Sequence, residues 1–263
     1  MYDYHAHSDF SDDSVTPMNE MIEAAISKGV REFALTDHFD PDYPDRNYPF
    51  EIDFENYHKS LIESAARYKG RIKVIKGLEM GIQHGATLQK CEKAAVAFPY
   101  DFIIGSFHAA HGQDLYTDYL TDREPEEAFS AFYSYMSHCL AEFSNFDVLG
   151  HFNVIDRYAS VIPDYAPYTE VIEGMLRDLV AKGKGLEFNT SCFRYGMGRR
   201  TTPTREILEA YRALGGEIVT IGSDAHRATD IVHGYDKALE ILKACGFRYI
   251  ATFEGRKPSF VKI

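Results

Sequence analysis

Residues 217–226 read EIVTIGSDAH, a short apolar run that ends in Gly222-Ser223 and is followed at once by Asp224 and His226. The same unit, an apolar run followed by an imidazole or a carboxylate, recurs along the whole chain. Nearly continuous apolar runs of this length are typical of strands that are buried on both faces of a parallel sheet. Candidate strands cover residues 2–5, 32–36, 72–78, 102–106, 148–150, 185–189, 217–222 and 249–253.

Helical patterns fall between these strands. Thr16-Pro17 and Thr202-Pro203 each resemble a helix N-cap followed by proline at the first helical position, and Gly29 and Gly215-Gly216 end the two helices. Further helices are predicted at 54–68, 86–98, 126–143, 168–182 and 230–245. Strand and helix alternate without a linker over residues 1–263, which predicts a single α/β domain, either a closed (β/α) barrel or a doubly wound sheet.

The composition narrows the range of partners and of cellular locations. A formal net charge of -12 argues against a protein held on nucleic acid or on an anionic membrane by a general positive field. No apolar run is long enough to span a bilayer, and the N-terminal stretch lacks the basic and apolar regions of a signal peptide. The four cysteines are far apart and form no CxxC pair. We therefore expect a cytoplasmic enzyme with reduced thiols.

The polar residues that follow the strands carry the chemistry. His5 and His7 end the first strand, and alternate strand residues point to the same side, so both imidazoles can face one metal ion. Later strands end in further potential ligands at positions 38, 79, 108, 151 and 224, at intervals of 29 to 43 residues and one of 73 that spans two units. One βα unit takes about 30 residues or more. The spacing of the potential ligands therefore matches the spacing of the strands. The ligands are expected to meet at the C-terminal mouth of a barrel, where Zn, Fe or Mn would bind.

Six short motifs that contain these residues follow one another along the chain: His5-Ala6-His7 with Ser11-Asp12-Asp13, Thr36-Asp37-His38, Gly77-Leu78-Glu79, Gly105-Ser106-Phe107-His108, Gly150-His151 and Ser223-Asp224-Ala225-His226. This ordered set resembles the polymerase-and-histidinol-phosphatase (PHP) superfamily, and most closely its histidinol-phosphatase branch. The motifs stand in family order and cover nearly the whole chain. The resemblance implies a distorted (β/α)7, TIM-like barrel whose active site, at the C-terminal strand ends, holds three divalent metal ions.

The resemblance also implies how the ligands are shared. His5, His7, Glu79 and Asp224 would hold the first metal, and Glu79 would bridge to a second metal held by His108 and His151. The third metal would be held by Asp13, His38 and His226. Many relatives have histidine at position 13, so the neighbouring Asp12 is a rival ligand.

The resemblance further implies the substrate and the residues that act on it. Arg157 and Arg194 match the phosphatase branch, and guanidinium groups bind phosphate oxygens with two donors at once. Arg199 and Arg200 are weaker candidates, better explained as a solvated basic turn. The expected reaction is hydrolysis of L-histidinol phosphate, a small anionic phosphomonoester, to L-histidinol and phosphate in histidine biosynthesis. Asp224 and His226 are the candidates for proton transfer to the leaving alkoxide, and Phe107, Tyr116 and Asp114 are possible contacts of the imidazole and amine.

Two other functions are compatible with these motifs. A PHP phosphoesterase could act on nucleotides, nucleic-acid ends or phosphotyrosine, although the negative charge disfavours a long polyanion. A non-catalytic, metal-binding regulatory module on a retained barrel is the second, and degenerate ligands would mark it. Here every expected position except residue 13 carries the usual residue type.

Overall fold

Seven parallel strands form the wall of a barrel in the computed structural model, which describes residues 1–197 and 200–263. The strands of the chain are β1 (Tyr2–Asp3), β2 (Glu32–Leu35), β3 (His38–Phe39), β4 (Lys73–Gly81), β5 (Phe102–Ser106), β6 (Ala109–Ala110), β7 (Gln113–Asp114), β8 (Val148–Leu149), β9 (Gly185–Asn189), β10 (Val219–Gly222), β11 (Tyr249–Glu254) and β12 (Lys257–Lys262). The wall runs β1-β2-β4-β5-β8-β9-β10, and the short β3 pairs with the far end of β4.

Helices follow most of the wall strands and cover the outside of the barrel. They are α1 (Met18–Ser27), α2 (Phe54–Arg67), α3 (Ala86–Val96), α4 (Pro125–Glu142), α5 (Ile155–Tyr158), α6 (Thr169–Ala181), α7 (Arg205–Ala213) and α8 (Tyr235–Ala244). Their buried faces pack on the sheet as one continuous apolar layer. The strand–helix alternation read from the sequence is therefore confirmed as a barrel wall with an outer helical layer.

Backbone hydrogen bonds between the first and last wall strands close the barrel. The amide of Tyr4 donates to the carbonyl of Ile221 at 2.9 Å, and the amide of Asp224 donates to the carbonyl of His5 at 2.8 Å. A parallel bridge between Ala6 and Ala225 continues this pairing beyond the strands. The wall is thus the distorted (β/α)7 barrel that the family resemblance implied, and a doubly wound open sheet is excluded.

A small apolar core fills the barrel interior, and the C-terminal hairpin β11–β12 adds to it from the N-terminal end of the strands. Phe102 packs edge-on against Tyr4 with ring centroids 5.1 Å apart, and Phe253 of β11 lies 4.9 Å from Phe102. The amide of Phe253 donates to the hydroxyl of Tyr4 at 2.8 Å. Residues 249–253 were expected as a strand of the alternating series, but they pair antiparallel with β12 outside the wall. The hairpin thus covers the N-terminal end of the barrel, where Arg256 of its turn pairs with Asp147.

The two Thr-Pro pairs begin their helices later than the sequence predicted. Pro17, not Thr16, is the N-cap of α1. Thr202-Pro203 is a cis peptide bond, and Thr204 caps α7 by accepting a hydrogen bond from the amide of Ile207. In both cases proline precedes the first helical turn, so its missing N–H costs the helix nothing. Within the described residues, no helix is long and apolar enough to cross a membrane.

Candidate metal centre

Four buried side chains from three segments meet at the mouth of the barrel and form the first group of ligand atoms. Oε2 of Glu79 lies 3.0 Å from Nε2 of His5 and 3.5 Å from Nε2 of His7. Oδ1 of Asp224 lies 3.7 and 3.4 Å from the same two nitrogens. Two ligands that are each about 2.1 Å from a tetrahedral ion lie about 3.4 Å apart, so these four atoms have the spacing of a metal site.

The other carboxylate oxygen of Glu79 faces a second group. Its Oε1 lies 3.3 Å from Nε2 of His108 and 2.9 Å from Nε2 of His151. These two nitrogens are 3.3 Å apart. One fully buried carboxylate therefore stands between two sets of imidazoles, at the position where the family resemblance implies a bridging ligand.

A third group lies at the outer edge of the mouth. Oδ2 of Asp13 is 3.1 Å from Nε2 of His226 and 3.7 Å from Nε2 of His38. Asp12, the rival ligand, points elsewhere, and its Oδ2 accepts a hydrogen bond from the amide of Phe50 at 2.7 Å. The structure thus brings Asp13, and not Asp12, to the two histidines.

Several polar atoms in this cluster are buried without hydrogen bonds. Among the described residues, Oε2 of Glu79, Oδ2 of Asp40 and Nδ1 of His38 have no hydrogen-bond partner, although Glu79 is surrounded by imidazoles. Buried polar atoms nearly always have a hydrogen-bond partner, and a bound ion is one explanation of an exception. The donor set, imidazole and carboxylate, suits Zn, Fe or Mn. The residues present therefore fit divalent metal ions.

Two buried carboxylates that were not predicted from the sequence contact the Nδ1 atoms of two histidines, on the side of each ring away from Nε2. Oε1 of Glu187 lies 2.6 Å from Nδ1 of His5, and Oδ1 of Asp40 lies 2.6 Å from Nδ1 of His108. Such a partner accepts the Nδ1 proton, fixes the tautomer and leaves Nε2 for a metal. Glu187 interrupts the apolar strand Gly185–Asn189, and this isolated charge was the available signal. Asp40 follows Thr36-Asp37-His38 by only two residues.

The imidazoles and carboxylates at the mouth shift one another's pKa values in both directions. Burial lowers the pKa of His7 and of His151, so both imidazoles are neutral near neutral pH with a free lone pair. Burial alone would raise the pKa of Glu79, but His5, His38 and His108 outweigh it and hold that pKa well below its usual range. Glu79 is therefore ionised. Burial would lower the pKa of His5, His38 and His108, but the neighbouring carboxylates outweigh it and raise that pKa. Because imidazoles bind metal ions in their neutral form, a metal would displace a proton from each of these three.

Asp224 sits on a turn that the surrounding residues hold in a left-handed conformation. Its φ is 54°, which is uncommon for a residue other than glycine. The guanidinium of Arg194 donates to the carbonyls of Ser223 and Asp224 at 2.7 and 2.8 Å, and Oδ1 of Asp3 accepts from the amide of Ser223. At Gly222, an added Cβ would collide with the carboxylate of Glu187. The turn is thus positioned from several sides.

Arg157 reaches the mouth and is nearly buried there. Its Nη2 donates to Oγ of Ser191 at 2.6 Å and to Oδ2 of Asp224 at 3.2 Å, and its guanidinium lies over the ring of Tyr195. Arg194 uses two of its N–H donors for hydrogen bonds to the backbone carbonyls of the turn that carries Asp224. Arg200 instead forms an ion pair with Asp156, with 3.2 Å between Nη1 and Oδ2. Arg199 lies outside the described residues.

The candidate contacts for the organic part of the substrate lie in different environments. Phe107 is buried and packs near Tyr135, whereas Tyr116 is 74% exposed and its ring is 5.6 Å from that of Tyr158. Asp114 accepts hydrogen bonds from the hydroxyl of Tyr43 and from the amide of Tyr116. His84, on the connection between β4 and α3, groups with His138 and Glu142 of α4.

A parallel (β/α) barrel with buried imidazoles and carboxylates gathered at the C-terminal strand ends is the architecture of a metal-dependent hydrolase. The family profile described as the PHP domain matches residues 3–191. The chain belongs to the PHP domain family, in its histidinol-phosphatase branch.

Two comparisons support this placement. The chain is 30% identical over 260 residues to a histidinol-phosphatase of Lactococcus lactis, covering 97% of this chain and 95% of that protein. Its fold is similar to the crystal structure of histidinol phosphate phosphatase from L. lactis in complex with zinc, L-histidinol and phosphate. That structure superposes with a TM-score of 0.89 at 29% identity, covering 98% of each chain.

Proposed function

We propose that this enzyme hydrolyses L-histidinol phosphate to L-histidinol and phosphate with three divalent metal ions, and that it works in the cytoplasm. The observation that carries the proposal is Glu79, a fully buried carboxylate with one oxygen toward His5 and His7 and the other toward His108 and His151. A charge buried this deeply needs compensation by cations. The full-length similarity to the L. lactis phosphatase, whose structure contains zinc, L-histidinol and phosphate, supports the same substrate here.

The nine side chains at the mouth are proposed to hold the metals in the three groups described above. The ligands are His5, His7, Asp13, His38, Glu79, His108, His151, Asp224 and His226. When bound, such ions supply Lewis acidity toward phosphoryl oxygens and lower the pKa of water. Zn, Mn and Fe all suit this donor set, and the zinc in the L. lactis structure favours zinc.

Arg157 is proposed to bind and orient the phosphate. Its guanidinium is fixed by Ser191 and by the ring of Tyr195, so little side-chain entropy is lost when an anion binds. A positioned guanidinium also stabilises charge on the phosphoryl oxygens in the transition state. Arg194 is proposed to contribute through the donors that remain after it has bound the carbonyls of Ser223 and Asp224.

Asp224 is proposed to transfer a proton from the attacking water to the leaving group. Burial raises its pKa, but His5, Arg157 and His226 outweigh burial and lower it well below the usual range, so the carboxylate is ionised. Although this makes the carboxylate a weak base, it could accept the proton of an attacking water whose own pKa bound metal ions would lower, and then return that proton to the leaving alkoxide of L-histidinol. His226 supports this turn, since its Nδ1 lies 3.1 Å from the carbonyl oxygen of Asp224.

A substrate panel with purified, metal-loaded enzyme tests the proposal. We expect kcat/KM for L-histidinol phosphate to exceed the values for p-nitrophenyl phosphate, dAMP and phosphotyrosine. Chelation should abolish turnover, and Zn or Mn should restore it. Equal turnover of all four esters would contradict the assigned substrate, and turnover that ignored chelation would contradict the metal centre.

A further inference from the structure

A second cluster of potential metal ligands is exposed to solvent and shares no residue with the three groups at the mouth. His84 belongs to the short connection between β4 and α3, and His138 and Glu142 lie one turn apart on α4. Oε1 of Glu142 is 3.7 Å from Nε2 of His84 and 3.6 Å from Nε2 of His138. The two imidazole rings are 4.5 Å apart. Two imidazoles and one carboxylate, each with a lone pair that can bind a metal ion, therefore lie close together.

The spacing fits an ion better than it fits direct hydrogen bonds. Nitrogen and oxygen atoms that share a hydrogen bond lie about 2.7–3.2 Å apart, and both imidazoles are farther than this from the carboxylate. Two ligands around a tetrahedral zinc ion lie about 3.4 Å apart. The ligand atoms of all three residues lie within 4.8 Å of one another. Small side-chain rotations would bring them to one ion.

The backbone around the cluster is already ordered. The amide of His84 donates to the hydroxyl of Tyr135 at 2.9 Å, which ties the β4–α3 connection to α4. The amide group of Gln83 donates to the carbonyl of Pro41 at 3.1 Å and anchors the same connection from its other side. Because the two ligand-bearing elements are held together without an ion, binding would cost little additional ordering.

We propose that His84, His138 and Glu142 form an auxiliary site for a divalent transition metal, with zinc as the expected ion. Two imidazoles and one carboxylate are a common zinc donor set, and three protein ligands leave a fourth position for water. The site clamps α4 to the connection that follows β4, the strand that carries Glu79. Its role is to stabilise this part of the barrel, and it contributes no group to the reaction.

Zinc titration of the metal-loaded enzyme tests the site. The wild-type protein and the variants His84→Ala, His138→Ala and Glu142→Gln would be titrated with Zn²⁺ in competition with a chromophoric chelator. We expect the wild type to bind one equivalent more than the catalytic complement. Each variant should weaken that equivalent by more than about tenfold, because even loss of a group that only orients a ligand typically costs about 10–100-fold.

His233, an exposed histidine outside the cluster, provides the matched control. His233→Ala should titrate as the wild type does, and all variants should keep wild-type phosphatase activity. In thermal unfolding, added Zn²⁺ should raise the Tm of the wild type and of His233→Ala more than that of the three cluster variants, since a ligand that binds only the folded form stabilises it. Equal zinc stoichiometry and equal Tm response in the wild type and the cluster variants would overturn the proposal.

Discussion

The carboxylate of Glu187 lies 2.6 Å from Nδ1 of His5, on the opposite side of the imidazole from Glu79. The same carboxylate accepts a hydrogen bond from the amide of His151 at 2.9 Å. Glu187 therefore positions two proposed ligands, the ring of His5 and the backbone of His151, although it is not one of the nine proposed ligands itself. Burial lowers the pKa of His5, but the charges of Glu187, Glu79 and Asp224 outweigh burial and raise it.

Replacement of Glu187 should weaken the metal centre without removing a ligand. In Glu187→Gln, we expect metal affinity to fall about 10–100-fold, as is typical for loss of a carboxylate behind a ligating histidine. Activity should return toward the wild-type kcat as metal is added in excess. Metal-dependent activity titrations measure this, with the exposed Glu63→Gln as control. A wild-type metal dependence in Glu187→Gln would show that this contact does not support the centre.

The two neighbouring aspartates should behave differently. Asp13→Asn should lower the metal content by about one equivalent, because Asp13 provides the carboxylate of a three-residue group. Asp12→Asn should keep all metals and lose only a hydrogen bond to the amide of Phe50. Elemental analysis of the purified variants measures the difference. Loss of metal in Asp12→Asn alone would reverse the assignment.

The two arginines should also separate in kinetic measurements. We expect Arg157→Lys to lower kcat/KM by about 100-fold, in the range found when one fixed donor to a developing negative charge is lost. Arg194→Lys should instead lower metal affinity as well as activity, since Arg194 holds the turn that carries Asp224. Steady-state kinetics at saturating metal distinguish the two effects. Arg177→Lys, on the exposed face of α6, serves as control.

His58 should contribute a pH dependence to stability. Burial lowers its pKa in the folded protein, and its Nε2 lies 2.7 Å from the hydroxyl of Tyr100. The unfolded chain then binds more protons than the folded one, so unfolding free energy falls as pH drops below about 6.5 and levels off below the folded pKa.

Urea unfolding of wild type and His58→Gln at several pH values checks this expectation. The difference between the two proteins should be independent of pH above about 7 and should change below it. Parallel curves over the whole range would show that His58 does not titrate differently on folding.

The grouping of candidate ligand side chains at one mouth could be predicted from the sequence because it depends on local features. Apolar runs mark the strands, and the carboxyl ends of parallel strands meet at one mouth. The positions of His7, His38, Glu79 and His108 follow from that rule alone. The role of the last apolar run, 249–253, could not be predicted, because a strand that enlarges the wall and one that packs below it have the same local pattern.

By itself, the sequence determined the strand–helix alternation and the position of the candidate ligands at the ends of strands. Both follow from the spacing of residues along the chain. Only the tertiary structure decided that Asp13 and not Asp12 faces His226, that Arg194 binds the Asp224 turn, and that Glu187 stands behind His5. The physical reason is distance along the chain. His5 and Glu187 are 182 residues apart, and closure of the barrel brings them within a hydrogen bond of each other.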